Sequence, residues 1–186
     1  MPALHYLPLA KSGDVEAQYL LGLGYERGLS GAVDRRAAAR WYRKAAEAGH
    51  NKAAYRLALL LLRGDSIPED PQQAVEFFKQ AGAAAHPEAL YYLGYMSERG
   101  LGVSSDESVA LEYYEQSAQL GLTEAMKAAA SLYVRRSEQH GNLPRAWYWL
   151  NAAAFAGDDD ADAMKAKLED LMTADQLEEA KALSLP

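Results

Sequence analysis

Four histidines, a run of aspartates, a cluster of arginines and a few close-set glycines are the residues of this chain that could bind or react. His50 and His86 stand 36 residues apart, and two imidazoles can begin a metal site. Further ligands are missing at suitable spacing, and His5 and His140 fall elsewhere, so turn or capping chemistry is the simpler role. Asp158, Asp160, Asp162 and Glu169 mimic positions one, three, five and twelve of a calcium loop. Ala163 stands where that loop needs glycine, so these acids read instead as charge enrichment at a helix N-terminus. Gly22-Leu23-Gly24 with Gly28 misses the dinucleotide-binding spacing by one residue. The absence of cysteine excludes disulfides, thiolate zinc sites and a cysteine nucleophile. No phosphate loop, nucleophile elbow, metalloprotease motif or acid/base constellation appears. The expectation is a non-enzyme: no catalytic residue, no cofactor and no metal.

The chain of 186 residues is 49% hydrophobic and 24% charged, well outside the disordered class. Its longest strongly apolar run, Leu57 to Leu62, is too short to span a bilayer, and Met1 to His5 lacks the character of a signal peptide. A cytoplasmic location is the default expectation. Net charge is −7, but residues 1–157 account for −1 and residues 158–186 for −6. A basic footprint for nucleic acid is missing, so that partner class is excluded.

Self-similarity organises everything else. Ala17, Ala53, Ala89, Ala125 and Ala161 recur at a step of 36 residues without slippage. Gly22, Ala58, Gly94 and Ala130 keep one column small, and Ala38, Ala74, Ala110 and Ala146 another. Trp41, Phe77, Tyr113 and Trp149 form an aromatic column, followed directly by Tyr42, Phe78, Tyr114 and Leu150. Full units lie at about 15–50, 51–86, 87–122 and 123–158, with a partial helix over 1–14 and capping helices over 159–186. The whole reads as one repeat domain.

Each unit carries two amphipathic helices. In the second, Ala38, Trp41, Tyr42, Ala45 and Ala46 follow helical spacing and give one broad buried face. Glycine at Gly28, Gly64 and Gly100 ends the first helix, and Asp34, Asp70, Asp106 and Asn142 stand where a short acceptor caps the second. Nothing alternates like a sheet. Small columns allow close helix approach, the paired aromatics fill the remaining volume, and neighbouring units cover the faces that one unit leaves bare. The product is an all-α solenoid of about four and a half 36-residue repeats, with Phe77 expected among its buried rings.

Gly100-Leu101-Gly102-Val103 followed by Asp106, with Leu93-Gly94 before and Tyr113-Tyr114 after, resembles the Sel-one-like repeat family, a relative of tetratricopeptide repeats. Trp41-Tyr42-Arg43-Lys44-Ala45-Ala46 followed by Gly49 carries the same resemblance, which covers about residues 9–183. It implies a right-handed α/α superhelix and a role as scaffold or adaptor for protein complexes. Some cysteine-rich relatives are associated with β-lactams, a link not carried over to a chain without cysteine. Copy four departs from the pattern, with Arg135 to Gly141 replacing the glycine-rich turn; its first helix runs longer or its loop projects. Met172 to Leu177 resembles a family terminus, and Thr173 with Gln176 has the pattern of a capping box. At the other end Tyr6, Leu9 and Ala10 align with Tyr42, Ala45 and Ala46, and Pro8 is expected to interrupt that helix. An apolar patch there could serve self-association.

In related solenoids the first helix of each unit lines the concave side. The non-core residues four apart on these helices are Tyr19, Leu23 and Arg27, then Tyr55, Leu59 and Arg63. Copies three and four supply Tyr91, Tyr95 and Arg99, then Lys127, Ser131 and Arg135. Tyrosine gives area and arginine a planar fork for carboxylates, so this stripe would suit a peptide or protein partner of acidic character. The competing reading is packing by the tyrosines and a solvated ladder of the arginines with Glu26 and Glu98. Arg35, Arg36, Arg40, Arg43 and Lys44 concentrate charge on one second helix, as a solvated face or an acidic-partner contact. The function expected is a non-enzymatic interaction scaffold. The alternative is a dedicated inhibitor, of the immunity-protein kind, that blocks an effector enzyme.

Overall fold

The computed structural model describes residues 3–29, 31–64, 66–136 and 142–183. Among them are a short 3-10 turn, eleven α-helices and no strand. The chain divides into two compact units, 1–105 and 106–186, and the division falls between the two helices of the third repeat. The first unit carries 12 basic and 11 acidic residues, and the second 7 and 15. One repeat therefore builds a nearly neutral unit and a strongly acidic one.

The first unit contains α1 (Leu7–Lys11), α2 (Val15–Glu26), α3 (Arg35–Glu47), α4 (Asn51–Arg63), α5 (Pro71–Ala83) and α6 (Pro87–Arg99). Consecutive helices pack on one another. Alternate helices also touch: Arg56 of α4 reaches Glu26 of α2, and Gln80 of α5 donates to the Ala46 carbonyl of α3 at 2.9 Å. First helices thus lie beside first helices and second beside second, in two layers.

The aspartate column caps as its chemistry requires. Asp34 accepts from the Ala37 amide at 2.8 Å, Asp70 from Gln73 at 2.9 Å and Asp106 from Val109 at 3.1 Å. Asn142 does the same for Arg145 at 3.0 Å. In the Gly100-Leu101-Gly102-Val103 turn, Gly100 ends α6 in the left-handed region at φ 69°. Gly102 has φ 71°, and a Cβ there would stand 2.5 Å from the Pro71 backbone. The turn can rest on the start of α5 only without a side chain at that point.

Burial corrects one expectation. Phe78 is fully buried, as are Tyr42, Leu21 and Leu57, whereas Phe77 is only half-buried. In the first three copies the buried arc of the second helix is centred on the second aromatic of the pair, Tyr42, Phe78 and Tyr114, while in the fourth both Trp149 and Leu150 are buried. Phe77 sits at the arc's edge, with the Arg43 guanidinium 5.6 Å from its ring centre. Small and large columns meet at Gly22, where a Cβ would come within 2.7 Å of the Tyr42 ring. The two columns change together: glycine accompanies tyrosine at Gly22/Tyr42 and Gly94/Tyr114, while alanine accompanies Phe78 and Leu150 at Ala58 and Ala130.

Pro8 does not break the N-terminal segment. A 3-10 turn over Ala3–Tyr6 passes into α1, and Pro8 stands in the first turn of that helix, where its missing N–H costs nothing. Tyr6 and Leu7 pack against Ala10, Ala17 and Leu21, and Leu9 is 52% exposed.

The second unit contains α7 (Glu107–Gln119), α8 (Thr123–Arg135), α9 (Leu143–Phe155), α10 (Asp159–Glu169) and α11 (Ala174–Ala182). At 13 residues α8 matches α4 and α6, so the longer helix allowed for copy four is not formed. The rest of that turn, 137–141, lies outside the described residues. Both α10 and α11 pack on α9, and Thr173 with Gln176 closes a complete capping box at the start of α11. No helix among the described residues is long and apolar enough to cross a membrane.

Candidate interaction surface

The expected stripe resolves into two columns with different roles. Tyr19 of α2 is half-buried and stacks on His50, with ring centres 4.5 Å apart. Tyr55 of α4 repeats the stack on His86 at 4.3 Å, and meets Phe78 at 6.0 Å and Tyr92 at 6.4 Å. Burial pushes the Tyr55 hydroxyl up to about 12. Tyr91 meets Tyr92 edge-on at 5.6 Å. Tyr19 and Tyr55 therefore join first helices to the turns between repeats, and their rings are committed to packing.

The histidines are the other half of this joint. His50 Nδ1 accepts the Ala53 amide at 3.1 Å and so caps α4, which leaves Nε2–H to meet Glu16 at 3.1 Å. His86 precedes Pro87 and caps nothing; its Nδ1 lies 3.0 Å from Glu88. Burial lowers the His86 pKa against the opposing pull of Glu88. In the fourth copy the same two columns hold Lys127 and Asp158, 2.6 Å apart. The hydrogen bond to Asp158 raises the Lys127 pKa, and the bond from Lys127 lowers that of Asp158. A ring stack and an ion pair occupy equivalent places.

The arginine column behaves differently. Arg27, Arg63 and Arg99 are exposed at the ends of α2, α4 and α6 and make no ion pair among the described residues. Arg99 lies 6.0 Å over the half-buried ring of Tyr95, and Leu23 and Leu59 are half-buried beside this row. Glu26, one of the carboxylates a ladder would use, is taken elsewhere. It accepts the Tyr42 hydroxyl at 2.5 Å and pairs with Arg56 at 3.6 Å. Burial and that carboxylate raise the Tyr42 pKa far above the usual phenol range. Arg56 was not singled out in the sequence, because its column holds Leu20, Tyr92 and Ala128 in the other copies. A position that changes class at every step leaves no periodic trace.

In the second unit the stripe residues are engaged. Arg135 pairs with Glu107 at 3.2 Å, and Ser131 donates to the Lys127 carbonyl at 2.8 Å. Glu115 accepts the Tyr133 hydroxyl at 2.8 Å and lies 3.5 Å from Arg145. Burial, then the Glu115 carboxylate, pushes Tyr133 up to about 12. Asp158 caps α10 through Ala161 at 2.9 Å, and Glu169 accepts the Trp147 indole at 2.6 Å. The acids that mimic a calcium loop thus work separately; no three His, Asp or Glu among the described residues converge on a metal position.

Comparison with known proteins gives one family. The sequence profile of the Sel1 repeat matches residues 15–50, 51–86, 87–122 and 125–158. The crystal structure of a Sel1 repeat protein from Oxalobacter formigenes is 31% identical, with a TM-score of 0.79 over 86% of this chain and 65% of that one. A protective antigen of uropathogenic Escherichia coli with the same fold is 25% identical, at a TM-score of 0.56 over 96% of this chain and 46% of the other. An immunity protein from Pseudomonas aeruginosa, 24% identical, shares the fold at a TM-score of 0.50 over 84% of this chain and 56% of its own. The chain thus spans less than two thirds of each of these structures. No match was found among curated proteins.

Proposed function

Because the chain belongs to the Sel1 repeat family, whose members are typically protein-interaction scaffolds, we propose that it is a non-enzymatic scaffold that binds an acidic segment of a protein partner. The binding surface is the first-helix face of the first unit: Arg27, Arg63 and Arg99, with Leu23, Leu59 and Tyr95 beside them. The observation that carries this reading is the state of the arginine column. Three exposed guanidinium groups stand in register without an acidic partner among the described residues, while nearby Glu26 is bound to Tyr42 and Arg56. A guanidinium offers several donors in a planar fork, suited to carboxylates. Tyr19 and Tyr55 hold the surface in place from below, and the second-unit residues Lys127, Ser131 and Arg135 are engaged with Asp158, the Lys127 carbonyl and Glu107.

The test is affinity capture from the native source with wild type and with Arg63→Glu/Arg99→Glu, after circular dichroism has verified the variant's helicity. A protein retained by wild type and lost by the variant supports the proposal. Equal capture refutes it. Capture of one enzyme whose activity falls on binding would make the protein an inhibitor acting through the same face.

A further inference from the structure

A second surface, on the other layer of the first unit, carries different chemistry. A cleft of about 680 Å³ lies between α3 and the turn that joins α4 to α5. That volume is within the usual range of built ligand sites. Its α3 wall carries Arg36, Arg40 and Arg43, at positions three or four apart that share one helix face, with Lys44 beside them. Leu61, Ile67 and Pro68 supply apolar surface, and Leu61 is almost fully buried. Glu47, Glu69 and Asp70 complete the lining. The cleft is therefore mixed in charge, with Glu47 closing the basic α3 wall and Glu69 and Asp70 at the turn, Asp70 already capping α5 through Gln73.

Its cations differ in how far they are committed. Arg36 Nε donates to the Ser66 carbonyl at 2.7 Å and so ties α3 to the turn. Arg43 donates to Gln73 at 2.9 Å and lies over Phe77. Lys44 rests 4.6 Å over the Trp41 ring. Arg40 is exposed and makes no hydrogen bond, ion pair or ring contact with a described residue. The wall is thus held in shape by three side chains, with a fourth left over.

We propose that this cleft is a second peptide-binding site, which takes a short segment carrying a carboxylate beside a large apolar side chain. The carboxylate meets Arg40 and the remaining donors of Arg36, and the apolar side chain covers Ile67 and Pro68. Charge complementarity decides the occupant. A polyphosphate or nucleic-acid strand would set negative charge against Glu47 at the end of α3 and Glu69 on the turn as well as against the arginines, whereas a peptide of mixed character satisfies cations and carboxylates together. With one site on each helix layer, the first unit can hold two segments at once.

The test is selection of a random-sequence peptide library on the intact chain, followed by fluorescence titration of the recovered peptides. Peptides that pair Asp or Glu with a large apolar residue should bind wild type and weaken about tenfold or more against Arg40→Glu, as for a reversed charge pair. Ile67→Asp should weaken the peptides that respond to Arg40→Glu, whereas peptides that respond instead to Arg63→Glu/Arg99→Glu belong to the first-helix face. That last comparison separates this cleft from the first-helix face. The proposal is overturned if no recovered peptide responds to Arg40→Glu, or if oligouridylate or inorganic polyphosphate binds the cleft as tightly as the peptides do.

Discussion

Tyr19 with His50 and Lys127 with Asp158 occupy the same two columns of the repeat, yet the first pair is a ring stack and the second an ion pair. The same contrast runs through the two units. The first packs aromatics between repeats and leaves arginines at its surface; the second pairs most of its cations with acids and carries most of the negative charge. The register prescribes where side chains meet, and the chemistry of the meeting is free to change. The arginine column shows the same freedom: it is kept in all four copies, yet its members are without an acidic partner among the described residues in the first unit and Arg135 pairs with Glu107 in the second.

The largest expected effect sets a column of the first unit against its neighbour. Phe78→Ala, at a fully buried ring stacked on Tyr92, should destabilise by roughly 3–5 kcal/mol. Phe77→Ala should cost clearly less in the same denaturant titration; equal losses would mean that the two aromatic columns share burial evenly. Gly22→Ala comes next. Its new Cβ would overlap the Tyr42 ring, and overpacking of this kind costs roughly 1–3 kcal/mol. The double variant Gly22→Ala/Tyr42→Leu removes the ring atoms that the new Cβ meets and copies Ala130 with Leu150 of the fourth repeat, so it should lose less than the sum of the two single variants.

A smaller effect distinguishes the ring stack from the ion pair by pH. The folded-state pKa of His86 is lowered, so the unfolded chain takes up its proton first as pH falls. The stabilisation is complete above the ordinary histidine pKa of about 6.5 and is lost as pH falls from there through the lowered folded-state value. His86→Leu, which copies the third repeat's Leu122, should flatten the dependence of melting temperature on pH between about 7 and 5. Persistence of the full wild-type slope would remove His86 as its source. Smallest of all should be Lys127→Met, whose effect on melting should shrink as salt is added, because the pair is only partly shielded from solvent.

Much of this architecture was legible in the residues. The alanine columns, the Asp34, Asp70, Asp106 and Asn142 caps and the Thr173 box follow from local rules that each copy repeats. That the second ring of the first three pairs is the buried one was not legible, because 3.6-residue periodicity places Phe77 and Phe78 on one broad arc and only packing finds its centre. The stripe was readable as a set of positions, but not as two columns of opposite commitment. His50 and Glu26, the groups that settle the matter, come from a turn and from a position outside the arginine and tyrosine columns. The α3 cleft was visible only as a concentration of charge, since its turn wall comes from the following repeat.

The most direct test of the central claim is a binding titration of the captured partner against two variants, one in each unit. Arg63→Glu/Arg99→Glu should weaken binding by about a hundredfold, in the range of charged hot-spot losses, with a melting temperature close to wild type. Arg135→Glu, at the equivalent column of the second unit, should bind within a factor of about two of wild type. Equal weakening by both variants, or by neither, would contradict the assignment of binding to the exposed arginine column of the first unit.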